Sequence, residues 1–157
     1  MKFEIIQNIQ PDKRQVIYLD QEHSFYTEPF LYSDFTVMLG CDYIGLDVDL
    51  SSSKIMNISG FSSQKNWINK ILSAPATTKN GTIKIISDSE LCAGTGTYLF
   101  ERADMYCNII NGWCYIDGMT ELRADQNIRF CENIIFSLCG NSLVGIWIRL
   151  KIGIDAN

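Results

Sequence analysis

The sequence lacks the features that mark several large classes of protein. No apolar run approaches the length of about 18 residues that a transmembrane helix needs, so we expect neither a membrane span nor a membrane partner. Residues 1–7 contain no apolar signal-peptide core, which predicts a cytoplasmic location. Six cysteines among 157 residues are too few for a disulfide scaffold. We therefore expect free, mostly buried thiols in a reducing compartment.

Motifs that would identify a catalytic or metal site are also missing. His23 is the single histidine and no C-x-x-C occurs, so we expect no histidine-based metal centre and no zinc site. No G-x-S-x-G elbow positions a serine nucleophile. Residues 94–97 (GTGT) lack the third glycine of a phosphate-binding loop and fit a turn or a strand edge. These absences predict a protein with no catalytic residues, no metal and no cofactor.

Basic residues are scarce, and one long segment has none. The chain carries 13 Lys and Arg against 18 Asp and Glu, so it has no basic footprint for nucleic acid phosphates and we expect no nucleic acid partner. Residues 15–53 contain no Lys or Arg, but they hold seven acidic and seven aromatic residues. Such a mixture suits a surface that recognises a basic protein, because acids steer the encounter and aromatics anchor it. The alternative is a solvated acidic face that only aids solubility.

Alternating hydrophobic residues predict several strands. Ile44, Leu46 and Val48 alternate with polar neighbours, which indicates a half-buried strand that returns over residues 55–59. On this strand Asp47 and Asp49 would lie on the solvent face. Residues 16–19, 35–39 and 82–86 are further strands.

Two hairpins are predicted in the C-terminal half. Residues 134–138 and 144–150 alternate on either side of the turn residues 140–142 (GNS). Asn111-Gly112 predicts a second hairpin with a type I′ turn, because that pair accepts positive φ at both central positions.

One segment has a helical period. Trp67, Ile68, Ile71 and Leu72 would share one helix face, with Ser62 or Ser63 as the N-cap and Pro75 beyond the end. We therefore expect a single domain over residues 1–157 with an α+β, β-rich fold. Its antiparallel sheet or β-sandwich would have one or two helices packed on it.

Three C-terminal segments carry a resemblance to a protein class. Residues 111–116 (NGWCYI), 128–135 (IRFCENII) and 138–148 (LCGNSLVGIWI) look like the closing strand pairs of some bacterial immunity proteins. Immunity proteins of contact-dependent and polymorphic toxin systems are small and non-enzymatic. The resemblance implies that the chain binds one cognate toxin domain and blocks its active site. Many such toxins are nucleases with basic sites, which an acidic inhibitor can fill with carboxylates in place of phosphates.

The resemblance and the charge pattern together predict an immunity protein that neutralises a basic ribonuclease or deoxyribonuclease. The charge pattern places the toxin contacts in the segment without cations, at Asp34, Asp42, Tyr43, Asp47 and Asp49.

Two alternatives stay open. The first is a small enzyme built around His23 with Glu22 or a thiol. The second is a small-ligand or carbohydrate-binding module that uses Trp113 or Trp147 as a stacking face.

Overall fold

The secondary structure consists of strands. A computed structural model of the chain describes residues 1–8, 10–76 and 78–153, and within these residues it contains no α-helix. None of them forms a helix long and apolar enough to cross a membrane. The fourteen strands are β1 (Lys2–Gln7), β2 (Gln15–Leu19), β3 (Ser24–Glu28), β4 (Phe35–Met38), β5 (Tyr43–Asp49), β6 (Lys54–Phe61), β7 (Ile68–Asn69), β8 (Lys79–Ile86), β9 (Thr95–Tyr98), β10 (Asp104–Cys107), β11 (Trp113–Asp117), β12 (Gln126–Cys131), β13 (Ile134–Cys139) and β14 (Ser142–Arg149).

The strands form one continuous curled sheet. Their order is β7-β10-β11-β14-β13-β12-β8-β6-β5-β4-β9, with β1 paired to β8 and the β2–β3 hairpin attached to β6. Strand β8 connects the two halves, because its first residues pair with β12 and Lys84 pairs with Lys54 of β6. Most pairs are antiparallel, and β4–β9, β7–β10 and β8–β12 are parallel. The predicted α+β fold with packed helices is therefore wrong, and only its β-rich character is confirmed.

Both halves of the sheet contribute to one buried core. Inward-facing side chains on alternate positions of β5, such as Ile44 and Leu46, are fully buried. They belong to the same cluster as Phe136 of β13 and Ile146 of β14. Removal of this apolar surface from water is the main term that favours the fold.

The predicted helix after Ser62 is wrong. Ser63 does act as an N-cap by accepting a hydrogen bond from the Lys65 backbone, but the turn that it begins is a 3₁₀ turn over Gln64–Asn66. The chain then becomes extended, and β7 pairs with β10. Ile71 is 87% exposed, so the apolar spacing does not mark a buried helix face. Residues 68–69 thus form backbone hydrogen bonds with β10 instead of forming a helix.

The predicted strands and hairpins are present. β5 returns as β6, and β13 pairs with β14 across Gly140-Asn141. β10 and β11 also form a hairpin, but its loop spans residues 108–112 and is closed by a hydrogen bond from Gly112 N to Asn108 O at 2.9 Å. Gly112 has φ 77° whereas Asn111 does not have a positive φ, so the turn is not type I′.

One pair of cysteines is joined. Cys107 and Cys114 lie opposite each other on β10 and β11 and form a disulfide. Cys41 and Cys131 are free and buried, whereas Cys92 is free and exposed. The expectation of six free thiols is therefore wrong, because the hairpin register brings together two residues that the sequence spacing did not connect.

Candidate functional site

The five residues predicted to contact a partner do not form one surface. Asp42 and Tyr43 are exposed together where β5 begins. Asp34 and Asp49 are half-buried at the opposite end of the β4–β5 pair, where Asp34 N donates to Val48 O. The fifth residue, Asp47, is buried between these two ends.

Asp47 does not face solvent. It is 6% exposed, and its carboxylate accepts hydrogen bonds from Ser59 Oγ at 2.6 Å and Thr36 Oγ1 at 3.4 Å. Asn57, its cross-strand partner, exchanges two hydrogen bonds with the backbone of Leu31, so the chain around Leu31 lies across this part of the sheet. Burial raises the pKa of Asp47, and the two hydroxyl donors only partly oppose this effect. The prediction that Asp47 lies on a solvent face is wrong, and its carboxylate is not available to a partner.

The carboxylates of Asp34 and Asp49 are engaged in local structure. Asp34 Oδ1 accepts a hydrogen bond from Leu50 N at 2.8 Å, which holds the end of β5. Asp49 accepts from the hydroxyl groups of Ser51 and Ser52, and these bonds lower the pKa of Asp49. Both residues shape the turn that joins β5 to β6, rather than an open binding surface.

Asp42 is positioned by donors from the segment that follows β6. It lies in the tight β4–β5 turn with φ 46°, and its carboxylate accepts from Ser62 Oγ at 2.7 Å and from Asn66 Nδ2 at 3.1 Å. Ser62 Oγ in turn accepts from Trp67 Nε1 at 2.7 Å. This chain of hydrogen bonds fixes the exposed carboxylate before any partner arrives.

Tyr43 and Phe61 form an exposed aromatic pair. They lie directly opposite each other on β5 and β6, and they are 70% and 57% exposed. Gly60, beside Phe61, has φ 130°, and a Cβ there would lie 1.9 Å from Tyr43 O. Only glycine allows the two strands to approach this closely, so the register that pairs the two rings depends on Gly60.

Two acidic residues lie beside this aromatic pair. An open depression of about 300 Å³ is lined by Glu22, His23, Asp42, Tyr43 and Phe61, among others, and we call these five residues the Tyr43 surface. Two of the five are carboxylates and none is Lys or Arg. The adjoining 3₁₀ turn adds one cation, Lys65. The Tyr43 surface therefore combines negative charge with exposed aromatic area.

His23 is not arranged as a catalytic base. It is exposed in the β2–β3 turn with φ 54°, and its Nδ1 lies 3.5 Å from Tyr18 Oη. The nearby Ser62 hydroxyl is directed to Asp42 instead. Burial raises the pKa of the Cys41 and Cys131 thiols to about 12, so neither thiol is activated as a nucleophile. No group of three His, Cys, Asp or Glu side chains among the described residues could hold a metal ion.

Trp147 does not offer a flat stacking face, and Trp113 is half-buried at the start of β11. Trp147 packs against Tyr115 with ring centroids 4.5 Å apart and a 35° tilt, and its Nε1 donates to Ser137 Oγ at 3.2 Å. Tyr115 also covers Gly145, where a Cβ would lie 2.0 Å from the Tyr115 hydroxyl. Both rings are half-buried and engaged with each other, so nothing here favours carbohydrate stacking.

Sequence reasoning did not place Phe61 or Glu22 on this candidate surface. Phe61 was detectable in principle, because a β5–β6 hairpin with a short serine turn places it opposite Tyr43. Glu22 joins the site through the β2–β3 turn, which carried no distinguishing local pattern. No protein-family model matches the chain, and no curated protein matches its sequence.

Proposed function

We propose that this protein is an immunity protein that binds a cognate toxin domain and blocks its basic active site with the Tyr43 surface. The observation that carries this proposal is the exposed Tyr43–Phe61 pair beside the carboxylates of Glu22 and Asp42. The contact set is therefore smaller than the one predicted from charge alone. Asp34, Asp47 and Asp49 are left out of it, because they are buried or half-buried and their carboxylates accept hydrogen bonds within the fold, whereas Asp42 is exposed.

The two kinds of side chain would have different roles. The carboxylates attract a cationic cleft over distance and discriminate against acidic partners. The aromatic rings supply large contact area at low conformational cost, which is why such residues dominate binding energy in many interfaces. The hydrogen bonds to Asp42 from Ser62 and Asn66 hold its carboxylate in one position, so little ordering is needed on binding.

The experiment that tests the function is neutralisation of a toxin. The C-terminal fragment of a large exported protein encoded immediately upstream of this chain is expressed with and without the chain, and growth is measured. We expect the fragment to stop growth and the chain to restore it. If no toxic fragment is found, or if the chain fails to restore growth, the proposed function is wrong.

The experiment that tests the surface compares matched variants with the same toxin fragment. Tyr43→Ala combined with Phe61→Ala should weaken binding by at least about ten-fold. Leu122→Ala, at another exposed apolar residue, should leave the affinity unchanged. If the chain restores growth but the double variant binds the toxin fragment as tightly as the wild type, the proposed function stands and the assignment of toxin binding to the Tyr43 surface is refuted.

A charge variant tests the steering role of the carboxylates. Glu22→Lys should slow association and reduce its dependence on salt, whereas Glu121→Lys, an exposed acid outside this surface, should have a smaller effect. Equal effects of the two substitutions would show that only net charge matters.

A further inference from the structure

A second exposed apolar surface lies at the end of the β10–β11 hairpin. Ile109 and Ile110 occupy its loop and are 79% and 89% exposed. Ile71 is exposed on the adjacent segment, and Ile68 of β7 pairs in register with β10. We call these four residues the isoleucine tip. Two neighbouring isoleucines that are almost wholly exposed require an explanation, because single scattered apolar residues are the ordinary case.

The isoleucine tip is held in one conformation. The Cys107–Cys114 disulfide closes the base of the hairpin loop. The amides of Asn108 and Asn111 both donate to Leu72 O, at 3.2 Å and 2.9 Å, and so attach the segment that carries Ile71 to the loop. The isoleucines are therefore presented by a fixed scaffold rather than by a loose loop.

Charge is separated along the hairpin. Asp104 and Asp117 pair in register at the far end of β10 and β11, three residues before Cys107 and three after Cys114, which corresponds to about 10 Å. At the tip end, Lys70 N donates to Cys107 O, and Arg149 lies opposite Trp113 on β14. Two cations, Lys70 and Arg149, thus lie beside the isoleucines, whereas the Tyr43 surface carries two carboxylates.

Acidic residues also lie at this end of the sheet, among them Glu132 and Glu28, which pairs in register with Gln15. Glu132 belongs to the β12–β13 turn, on the far side of Arg149 from the hairpin. Its carboxylate accepts from Gln15 Nε2, and Gln15 Oε1 accepts from Lys151. The Gln15 amide therefore links the Glu132 carboxylate to the Lys151 ammonium.

Aromatic rings lie directly behind the isoleucines. Trp113 begins β11 next to the loop, and Tyr106 precedes Cys107 on β10. The Lys70 ammonium lies 4.7 Å from the centroid of the Tyr106 ring. Membrane-surface segments combine the same kinds of side chain: aliphatic residues meet the acyl chains, Trp and Tyr lie at the interface, and Lys and Arg contact phosphates.

We propose that the isoleucine tip docks on an anionic lipid surface. Ile109 and Ile110 enter the boundary between headgroups and acyl chains, while Lys70 and Arg149 contact lipid phosphates. A projecting tip whose side chains are almost fully exposed can insert into a fluid bilayer, whereas a protein partner would need a matching cavity. The lack of a membrane partner expected from the sequence is revised here, and the proposal does not depend on the Tyr43 surface.

The test is flotation of the oxidised full chain with vesicles. The vesicles contain phosphatidylcholine and phosphatidylserine in equal parts, and vesicles of phosphatidylcholine alone serve for comparison. We expect the chain to float with the mixed vesicles and to bind phosphatidylcholine at least about ten-fold more weakly. Ile109→Ser combined with Ile110→Ser should reduce binding by at least about ten-fold. Leu122→Ser, an exposed apolar residue outside the tip, should leave it unchanged.

A charge variant separates the two parts of the proposal. Lys70→Glu combined with Arg149→Glu should abolish the preference for phosphatidylserine, whereas Arg123→Glu should retain it. Circular dichroism of each variant checks that the fold is intact. Failure of the wild-type chain to bind mixed vesicles, or undiminished binding by the isoleucine variant, overturns the proposal. Concentration-dependent self-association that the isoleucine variant removes, without vesicle binding, would instead identify the tip as an interface between copies.

Discussion

Reduction of the Cys107–Cys114 disulfide should destabilise the protein by a calculable amount. The bond closes a loop with a sequence separation of seven residues. The chain-entropy relation for such a loop gives about 2.4 kcal/mol, because the reduced unfolded chain regains the freedom that the bond removed. The β10–β11 hairpin already holds the two residues opposite each other in the folded state. We therefore expect a loss close to 2 kcal/mol, or about 4–8 °C in the melting temperature.

The assay is urea unfolding of protein made under oxidising conditions, with and without a thiol reductant. Before reduction, the denatured chain should show four reactive thiols rather than six, because two of its six cysteines are joined. The double variant Cys107→Ala with Cys114→Ala is the control, since the reductant should not change its unfolding free energy. Six reactive thiols in the unreduced chain, or an equal response of the double variant to the reductant, would refute the reasoning.

Three further substitutions test the fold around the site. Phe136→Ala should lower the free energy of unfolding by about 3–5 kcal/mol in denaturant titrations, because the ring is fully buried; a loss below about 1 kcal/mol would contradict the core assignment. Gly60→Ala should cost more than about 2 kcal/mol and disturb the Tyr43–Phe61 pair, because φ is 130° and the new Cβ would meet Tyr43 O. The raised pKa of Asp47 means that the folded state binds the carboxyl proton more tightly than the unfolded state does. The contribution of Asp47 to stability is therefore present below its ordinary pKa of 3.8 and is lost as pH rises through its pKa in the folded state. In Asp47→Asn, the free energy of unfolding should therefore fall less steeply as pH rises. An unchanged pH dependence would show that Asp47 is not a desolvated carboxyl in the folded state.

The strands were predictable because their signal is local. Alternation from Ile44 to Val48 reflects one buried face of a strand, and that face is buried in the structure. The β13–β14 hairpin was predictable for the same reason, since its turn residues lie between two alternating runs. Such patterns depend on neighbours within a few positions and need no knowledge of the rest of the chain.

The helix was mispredicted because periodicity does not show what a segment packs against. Trp67 packs on Tyr18 and Phe25, with ring centroids 5.1 Å and 6.0 Å away, whereas Ile71 faces solvent. Pairing of β7 with β10 involves residues almost forty positions away. A short helix is only marginally stable by itself, so hydrogen bonds to a distant strand can replace it.

The candidate surface could be only half predicted for a related reason. The segment without cations drew attention to Asp42 and Tyr43, and both residues are exposed in the structure. The alternation also placed Asp47 on the outer face, but Asp47 is buried, and the distant Leu31 backbone is hydrogen-bonded to its cross-strand partner Asn57. Exposure depends on what a distant segment covers, and no local pattern in β5 contains that information.

The sequence by itself determined how charge is distributed along the chain, its β-rich character and the position of its clearest strands, because these follow from composition and from period-two alternation. The tertiary structure alone decided which residues meet. It joined Cys107 to Cys114, brought Phe61 and Glu22 to Tyr43, and separated Asp34 and Asp49 from Asp42. Strand order, register and turn conformation are non-local, since they result from packing the whole sheet around one core.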